Sequence, residues 1–528
     1  MVSAQFTLLL LVSALFSGLV YRITSHRGDG DKFKTWKRPN FIIVLADDIG
    51  WGDLGVNRPE RNPSPTPWLD LLAAEGKRFT DFHSPASTCS PSRAALLTGR
   101  HGLRNGVTHN FAVGSVGGLP LNETTFPELL HNAGYYTAMI GKWHLGHKGL
   151  YNPVHRGFDY YLGLPYSNDM GCTDHPGYDL PMCRSCKQGL KTDSQKHGGC
   201  YTGVALPLFE NQTILEQPVD LWSLTERYTT AAVKILHSAR ERGRPFLLYV
   251  ALAHMHVPLC PGNLSDTRDI YASALKEMDG LVGAIKSTSD ATDKENTLIW
   301  FTGDNGPWEQ KCQFAGSAGP FLGTWQTSRG GGSAKKTTWE GGHRVPTVVY
   351  WPGKVSANTT SGALLSGLDV FHTVLSLAGV DPPADRRYDG IDITDVLLRD
   401  SDTGHKSLLH PNSGAAAQYG DLQTVRVGHH KAFYITGAAE ACGGGSGQQA
   451  LHDPPLIFDL SEDEEESTPL DQQSEEYQAA LEAVQKTREA LLWDIATDNV
   501  STADYTVKRT AAPCCQPRNP VCRCHGPS

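Results

Sequence analysis

The sequence predicts an α/β fold with a large mixed sheet flanked by helices, followed by a smaller C-terminal antiparallel-sheet subdomain. Three continuous apolar runs in the first 400 residues are typical of strands that are covered on both faces. Helical stretches and Gly/Pro-rich turns separate these runs, as in α/β proteins. After about residue 405 the strand-like segments become shorter and lie closer together, which indicates a second, antiparallel sheet.

Length and composition narrow the class of protein. A chain of 528 residues with 39% hydrophobic and 20% charged residues is a folded globular protein with a large core and more than one domain. Its formal net charge of −9 disfavours a general nucleic-acid-binding protein, because such proteins carry a basic excess. We therefore expect no nucleic-acid partner.

The N-terminus predicts entry into the secretory pathway. Residues 1–20 contain an apolar run that suits a signal peptide and is shorter than the ~20 residues that span a bilayer. The first six residues contain no Lys or Arg, so a retained anchor is the alternative, and no later stretch predicts a stable membrane span. Five Asn-X-Ser/Thr triplets are consistent with this route and predict glycosylation at Asn122, Asn211, Asn263, Asn358 and Asn499.

The predicted catalytic α/β domain covers residues 38–400, and its three apolar runs each end in polar residues. The runs at 40–46, 246–253 and 297–303 lead into Asp47-Asp48, His254-Met-His256 and Asp304-Asn305. Ligands of open α/β sheets bind outside the carboxyl ends of the strands. We therefore expect the three endings to converge on one site.

The predicted C-terminal subdomain covers residues 405–528. Short strands are expected at 422–427, 431–436 and 455–460. Ser474 is a suitable N-cap for the helix that follows. That helix carries an apolar stripe expected to pack on the sheet, formed by Tyr477, Leu481, Val484, Leu491 and Ile495.

The most informative segment begins Cys89-Ser-Pro-Ser-Arg93 and ends Leu-Leu-Thr-Gly-Arg100. Pro91 is tolerated in a first helical turn and Gly99 suits a helix end, so Cys89 is predicted at a helix N-terminus. The free amides and the helix dipole there favour an anion. Arg93 lies on the same helical face as Cys89 and can bind the same anion.

Together with Gly-Tyr-Tyr-Thr-Ala-Met-Ile-Gly-Lys-Trp-His-Leu-Gly at 134–146, this segment resembles the signature motifs of the type I sulfatases. The resemblance extends from about residue 39 to the C-terminus. It implies an alkaline-phosphatase-like fold and the hydrolysis of sulfate esters. It also implies that the formylglycine-generating enzyme oxidises Cys89 to formylglycine during secretion.

The same resemblance implies a calcium ion bound by five positions. Their side chains are three carboxylates, one amide and the modified residue 89. An all-oxygen set fits a hard cation such as calcium or magnesium better than zinc. The implied ligands are Asp47, Asp48, Cys89, Asp304 and Asn305.

The resemblance further implies the residues that contact the substrate. Lys142 and His144 match residues that contact formylglycine and sulfate, and they would share one face if the chain there is extended. His256 matches a histidine that faces the leaving group, and its imidazole suits proton transfer. Ser167 matches a serine near the site. Lys335 matches the lysine that binds the sulfate, with Lys336 as the alternative, and His254 is expected to support the end of the sheet.

Within the family, the segments at 105–108, 253–258 and 410–415 resemble those of a lysosomal exosulfatase, and this resemblance implies the same activity here. Its substrates would be 3-O-sulfated N-sulfoglucosamine at the ends of heparan sulfate chains and small aryl sulfates. One alternative is a sulfatase for another sulfated glycan. The others are a phosphatase or phosphodiesterase of the same fold and a catalytically silent binding protein. Phosphatases of this fold use Ser or Thr as the nucleophile and bind zinc through several His. This chain has a cysteine at the nucleophile position and an all-oxygen set of metal ligands, so it does not match that pattern.

The 12 cysteines also bear on the chemistry. Conversion of Cys89 leaves an odd number, so at least one thiol stays outside the disulfides, and Cys260 is the candidate beside five predicted bridges. Cys183 and Cys186 are expected to form structural disulfides with their neighbours Cys172 and Cys200. The C-terminal cysteines 514, 515, 522 and 524 are expected to cross-link the tail.

Overall fold

The computed structural model describes residues 37–58, 60, 65–174, 204–262, 269–515, 522 and 524. The predicted signal peptide, Asn263 and the cysteines at 183, 186 and 200 lie outside these residues. The described part of the chain from Pro39 onward belongs to one compact unit. The division at 400–405 into two domains therefore stays a prediction. In the part described, no helix has both the length and the apolar character needed to cross a bilayer.

A ten-stranded mixed sheet forms the centre of the protein, in the order β11-β2-β10-β9-β1-β8-β4-β5-β6-β7. This sheet confirms the predicted α/β class. Its strands are β1 Asn40–Ala46, β2 Lys77–Phe79, β4 Tyr136–Gly141, β5 Tyr160–Gly163, β6 Leu208–Glu210, β7 Thr213–Glu216, β8 Phe246–Ala251, β9 Thr297–Gly303, β10 Thr347–Tyr350 and β11 Thr359–Ser361. A separate parallel pair is formed by β3 Phe82–His83 and β12 Leu365–Ser366.

The three apolar runs of the sequence become neighbouring parallel strands. β1 lies between β8 and β9, with Phe41 paired to Leu247 on one side and to Leu298 on the other. Every residue of the three strands is buried. Their carboxyl ends therefore meet at one edge of the sheet, as expected for a single site.

Helices cover both faces of the main sheet, which explains why its strands are apolar on both sides. Ile42 and Val44 face one core and Phe41, Ile43 and Leu45 face the other. The helices are α1 Pro67–Ala74, α2 Cys89–Thr98, α3 Gly102–Asn105, α4 Phe126–Asn132, α5 Leu224–Arg242, α6 Ile270–Asp293, α7 Thr324–Thr327, α8 Glu340–His343, α9 Asp369–Ala378, α10 Thr394–Leu398 and α11 Glu475–Ala496. Helices α1, α5 and α6 pack on the first core, and α2, α4 and α9 on the second.

A four-stranded antiparallel sheet follows in the C-terminal part, in the order β13-β14-β15-β16. Its strands are β13 Ser407–Pro411, β14 Leu422–Val427, β15 His430–Thr436 and β16 Ala450–Asp459. Strand β13 was not predicted, and β16 begins five residues earlier than expected because its first half is polar and contains proline. Helix α11 packs on this sheet, and Ser474 caps it by accepting a hydrogen bond from the Tyr477 N–H at 3.1 Å.

Three disulfides of the described residues are Cys312–Cys442, Cys514–Cys522 and Cys515–Cys524. The last two cross-link the C-terminal tail. Cys172 is also disulfide-bonded, whereas Cys89 and Cys260 are thiols. The total of five bridges stays a prediction.

A buried ionic cluster joins strand β15 of the C-terminal sheet to helix α8. Lys431 of β15 lies 2.8 Å from Glu340 and 2.9 Å from Glu466, and all three side chains are fully buried. Burial raises the pKa of Glu466 to about 7 although Lys431 opposes this change. Burial also acts to raise the pKa of Glu340, but Lys431 and Arg344 hold it well below its usual value. Lys431 therefore contacts both carboxyl groups, and Glu340 also pairs with Arg344 at 2.6 Å.

Replacing Lys431→Met removes the cation that faces Glu466, and we expect a loss of about 3–5 kcal/mol in the free energy of unfolding because one partner of a buried ion pair is lost. Denaturant-induced unfolding followed by tryptophan fluorescence measures the loss. The matched control, Lys406→Met, changes an exposed lysine and should stay within about 0.5 kcal/mol of the wild type. A Lys431→Met protein as stable as the control would contradict this role.

Candidate active site

The polar ends of β1, β8 and β9 meet the N-terminus of α2 in one buried site. Asp47 and Asp48 follow β1, Asp304 and Asn305 follow β9, and His256 lies shortly after β8. All five side chains are buried. The convergence predicted from the strand endings is therefore confirmed.

Cys89 is the first residue of α2, as predicted, and is fully buried. Its Sγ lies 3.5 Å from Asp47 Oδ1. Burial and Asp47 raise the pKa of the thiol to about 12, so the unmodified cysteine stays protonated and is a poor nucleophile. Gly99 ends the helix with φ 67°, in the left-handed region that favours glycine.

The carboxylates at the strand ends form a set of oxygen ligands suited to a hard cation. Ligand atoms of Asp47, Asp48, Cys89 and His256 lie within 4.8 Å of one another. The Asp48 N–H donates to Asp304 Oδ1 at 3.2 Å, which places Asp304 beside this group. Burial and Asp47 raise the pKa of Asp304 to about 7, as expected for crowded carboxyl groups.

Asn305 adds an amide oxygen to this set. Its Nδ2 donates to Asp48 Oδ1 and to the Gly306 carbonyl, both at 2.8 Å. Its Oδ1 is buried and has no hydrogen-bond partner among the described residues. A buried acceptor without a donor is costly, and a cation would satisfy it. The residues therefore fit the divalent cation that the sequence implied.

Three cationic side chains balance the carboxylates. Arg93 Nε donates to Asp304 Oδ2 at 2.9 Å, and Lys142 Nζ donates to Asp47 Oδ2 at 2.5 Å. Lys335 Nζ lies 2.7 Å from Asp48. Burial acts to lower the pKa of each cation, but the facing carboxylates raise it above its usual value. All three therefore stay charged around the Cys89 position.

His256 presents one ring nitrogen to the site. Its Nδ1 lies 2.6 Å from the Val257 carbonyl, so Nδ1–H donates there and Nε2 faces the cluster. Nε2 lies 3.3 Å from Ser167 Oγ, which also accepts a hydrogen bond from Lys142 at 2.8 Å. Burial and Lys335 lower the pKa of His256. Ser167 thus connects the lysine and the histidine.

His254 has a different position. Its Nε2 lies 2.8 Å from the Thr225 hydroxyl of α5, and its carbonyl accepts a hydrogen bond from the Asp47 N–H. The ring therefore faces the helix layer while the backbone holds the end of β1. This is the supporting position expected from the sequence.

Lys142 and His144 do not lie in an extended strand, so the condition for a shared face is not met. Strand β4 ends at Gly141, and His144 adopts φ 58°, so the chain turns after Lys142. The His144 Nε2 lies 3.1 Å from the Phe111 carbonyl, while its buried Nδ1 has no hydrogen-bond partner among the described residues. Burial, Lys142 and Arg93 lower the pKa of His144 well below its usual value, so the ring is neutral.

The structure also separates the two candidate lysines and adds a residue that sequence reasoning missed. Lys335 reaches Asp48, whereas Lys336 Nζ lies 4.9 Å from the ring centroid of Trp308. The Trp308 ring centroid is 5.2 Å from that of His256. The only sequence signal for Trp308 is its position three residues after Asn305.

Comparison with known proteins is consistent with this geometry. The sequence profile of the Sulfatase family matches residues 39–380, and that of the C-terminal region of aryl-sulfatase matches residues 403–524. The chain is 57% identical to human arylsulfatase G over 98% of its length and 99% of the relative. It is 56% identical to the dog protein, over 98% and 97% of the two chains.

More distant relatives agree. Human arylsulfatase A is 38% identical over 80% of this chain and 82% of its own. The crystal structure of a Pseudoalteromonas sulfatase superimposes with a TM-score of 0.74 at 27% identity, covering 88% of this chain and 92% of the other. These matches favour sulfate-ester hydrolysis over the phosphatase and silent-protein alternatives. The chain belongs to the sulfatase family and is a sulfuric ester hydrolase.

Proposed function

We propose that this protein is a calcium-dependent lysosomal exosulfatase that uses formylglycine made from Cys89. The observation that carries the proposal is the enclosure of the Cys89 position by Arg93, Lys142 and Lys335 at a helix N-terminus. Fixed positive charge around a buried nucleophile position suits a group that bears negative oxygens. The secretory features of the N-terminus support the localisation, and its modifying partner would be the formylglycine-generating enzyme.

The residues around position 89 have distinct tasks. Hydrated formylglycine supplies two geminal hydroxyls, one for attack on sulfur and one whose deprotonation releases sulfate. Asp47 Oδ1 lies 3.5 Å from the Sγ position. Burial acts to raise its pKa, but Lys142 and His256 hold the pKa well below the usual value, so this ionised carboxylate accepts a hydrogen bond from a hydroxyl at position 89 and orients it. His144 is a neutral ring, and its carbonyl accepts a hydrogen bond from the hydroxyl of Ser90, the residue after position 89, at 2.7 Å. Lys142 and Lys335 bind the sulfuryl oxygens, and Arg93 holds Asp304 and the Lys142 carbonyl in place.

Asp47, Asp48, Asp304, Asn305 and the residue 89 side chain would hold the calcium ion. The cation would supply Lewis-acid polarisation of the sulfuryl oxygens. The strand ends contribute only oxygen ligands, and Asn305 Oδ1 has no hydrogen-bond partner among the described residues. Both observations support a hard cation.

His256 is the proposed general acid. Its Nε2 faces the site, while the Val257 carbonyl and Ser167 fix the orientation of the ring. In its imidazolium form, which carries a proton on both ring nitrogens, His256 donates the Nε2 proton to the leaving oxygen of the ester and keeps the Nδ1 proton on the Val257 carbonyl. A sugar alkoxide needs this proton more than a stabilised phenoxide does.

For the substrate, we propose 3-O-sulfated N-sulfoglucosamine at heparan sulfate chain ends, together with aryl sulfates. Full-length similarity to arylsulfatase G supports this choice. The buried cations favour an anionic sulfate ester even though the whole protein is acidic. Another sulfated glycan is the alternative.

The substrate assignment is tested with purified protein and a panel of heparan oligosaccharides that carry one defined sulfate pattern each. We expect release of the terminal 3-O-sulfate only, measured by ion chromatography and mass spectrometry at acidic and neutral pH. Removal of N-, 2-O- or 6-O-sulfates with the 3-O-sulfate intact would reject the assignment. Mass spectrometry of the peptide with residue 89 tests the nucleophile, since an unmodified thiol at full occupancy in active enzyme would contradict it.

The Cys89→Ser substitution tests the need for two hydroxyls. A single hydroxyl can take up the sulfuryl group but cannot expel it by forming a carbonyl, so we expect kcat to fall about 10³-fold. The peptide that carries position 89 should gain the mass of one sulfuryl group. Cys260→Ser is the matched control and should keep wild-type activity, because that thiol lies outside the proposed machinery. Steady turnover by the Cys89→Ser protein would contradict the mechanism.

The His256→Ala substitution tests the general acid. We expect kcat/KM for a sulfated sugar to fall by about 10²–10⁴, and a much smaller loss for an aryl sulfate with a good leaving group. A series of aryl sulfates of graded phenol acidity measures this dependence. His254→Ala is the control, and any loss it causes should be the same for all leaving groups. A uniform loss for His256→Ala would assign that residue a positioning role instead.

A further inference from the structure

Three lysine side chains surround one indole ring beside the active site. The Nζ atoms of Lys311, Lys335 and Lys336 lie 4.6, 4.3 and 4.9 Å from the ring centroid of Trp308. Like charges repel, so such a group is stable only with compensation. The indole face provides part of it through cation–π contacts.

The lysines differ in how they are neutralised. Lys335 forms an ion pair with Asp48. Lys336 is half-buried, and within the described part of the chain its Nζ has no carboxylate at ion-pair distance. Glu440, which faces it from the loop after β15, accepts a hydrogen bond from Gln310 at 2.6 Å. Lys336 is thus a positioned cation available to a further anion.

The backbone holds Lys336 in an uncommon conformation. Its φ is 78°, which a residue with a side chain rarely adopts, and its N–H donates to the Ser87 carbonyl at 2.8 Å. Gly414 packs so closely that a Cβ added there would lie 2.5 Å from Lys336 Cβ. Such strain persists only where the surroundings enforce it, and it concentrates at binding sites.

The position of Trp308 relates this group to the reaction. The indole lies 5.2 Å from the ring of His256, the proposed acid at the leaving group. Lys335, the proposed ligand of the sulfate that is cleaved, lies over the same indole. The sugar released from the ester would therefore lie against Trp308, within reach of Lys336 and Lys311.

We propose that Lys336 and Lys311, supported by Trp308, form a subsite for a second anionic group of the substrate. This inference rests on the proposed function and specifies its substrate class: a glycan with another sulfate on the same sugar or a carboxylate on the adjoining sugar. Burial and Lys335 lower the pKa of Lys336, and a bound anion would oppose both effects.

The test compares Lys336→Gln and Lys311→Gln with the wild type on three substrates. These are an aryl sulfate with a single anionic group, a glucosamine with two sulfates, and a monosulfated sugar linked to a uronic acid. We expect each substitution to raise KM about fivefold to tenfold for at least one doubly anionic substrate. The aryl sulfate should change less than about twofold. Lys276→Gln, an exposed lysine on α6, is the matched control.

Ionic strength provides a second readout. The preference of the wild type for the doubly anionic substrate should weaken as salt rises, and this salt dependence should be smaller in the Lys336→Gln protein. A rise in KM for the glucosamine with two sulfates identifies the second sulfate as the ligand. A rise in KM for the sugar linked to a uronic acid identifies the carboxylate. Equal changes on all three substrates, or none on any, would overturn the subsite. If the wild type hydrolyses none of the three substrates, that result would instead contradict the proposed function.

Discussion

The balance of buried charge at the carboxyl ends of β1, β8 and β9 is the constraint on which the rest of the structure depends. Asp47, Asp48 and Asp304 lie in a region closed to solvent, where an unpaired carboxylate costs several kcal/mol. Each therefore needs a cation, and the cations come from three separate segments. Arg93 is on α2, Lys142 follows β4, and Lys335 precedes α8. Charge pairing thus draws the site together and defines its shape.

The C-terminal sheet takes part in this arrangement through the segment that joins Lys335 to α8. Five residues after Lys335, Glu340 enters the ionic cluster with Lys431 of β15. Between them, the Thr338 hydroxyl lies 2.6 Å from that of Thr424 on β14. The segment is therefore anchored at one end in the active site and at the other against the antiparallel sheet. This explains physically how the C-terminal sheet helps to position Lys335, the proposed sulfate-binding lysine.

The same charges explain how an acidic protein can bind an acidic substrate. The net charge of −9 is spread over the whole chain, whereas the site concentrates Arg93 and two lysines around a helix N-terminus. In a buried setting such groups act at full strength on an anion because little water screens them. Trp308 extends the positive region because Lys311 and Lys336 also contact its ring.

The sequence alone determined the α/β class, the three central strands, the helix that begins at Cys89 and the residue types of the site. These features follow from local rules: continuous apolar runs, strand endings, a first-turn proline and a terminal glycine. Only the tertiary structure paired Lys335 with Asp48, turned the chain at His144, and placed Trp308 beside His256. Lys335 meets Asp48 across 287 positions, and Lys431 meets Glu340 across 91. Such pairs depend on which distant segments pack together, and no local sequence pattern predicts this packing.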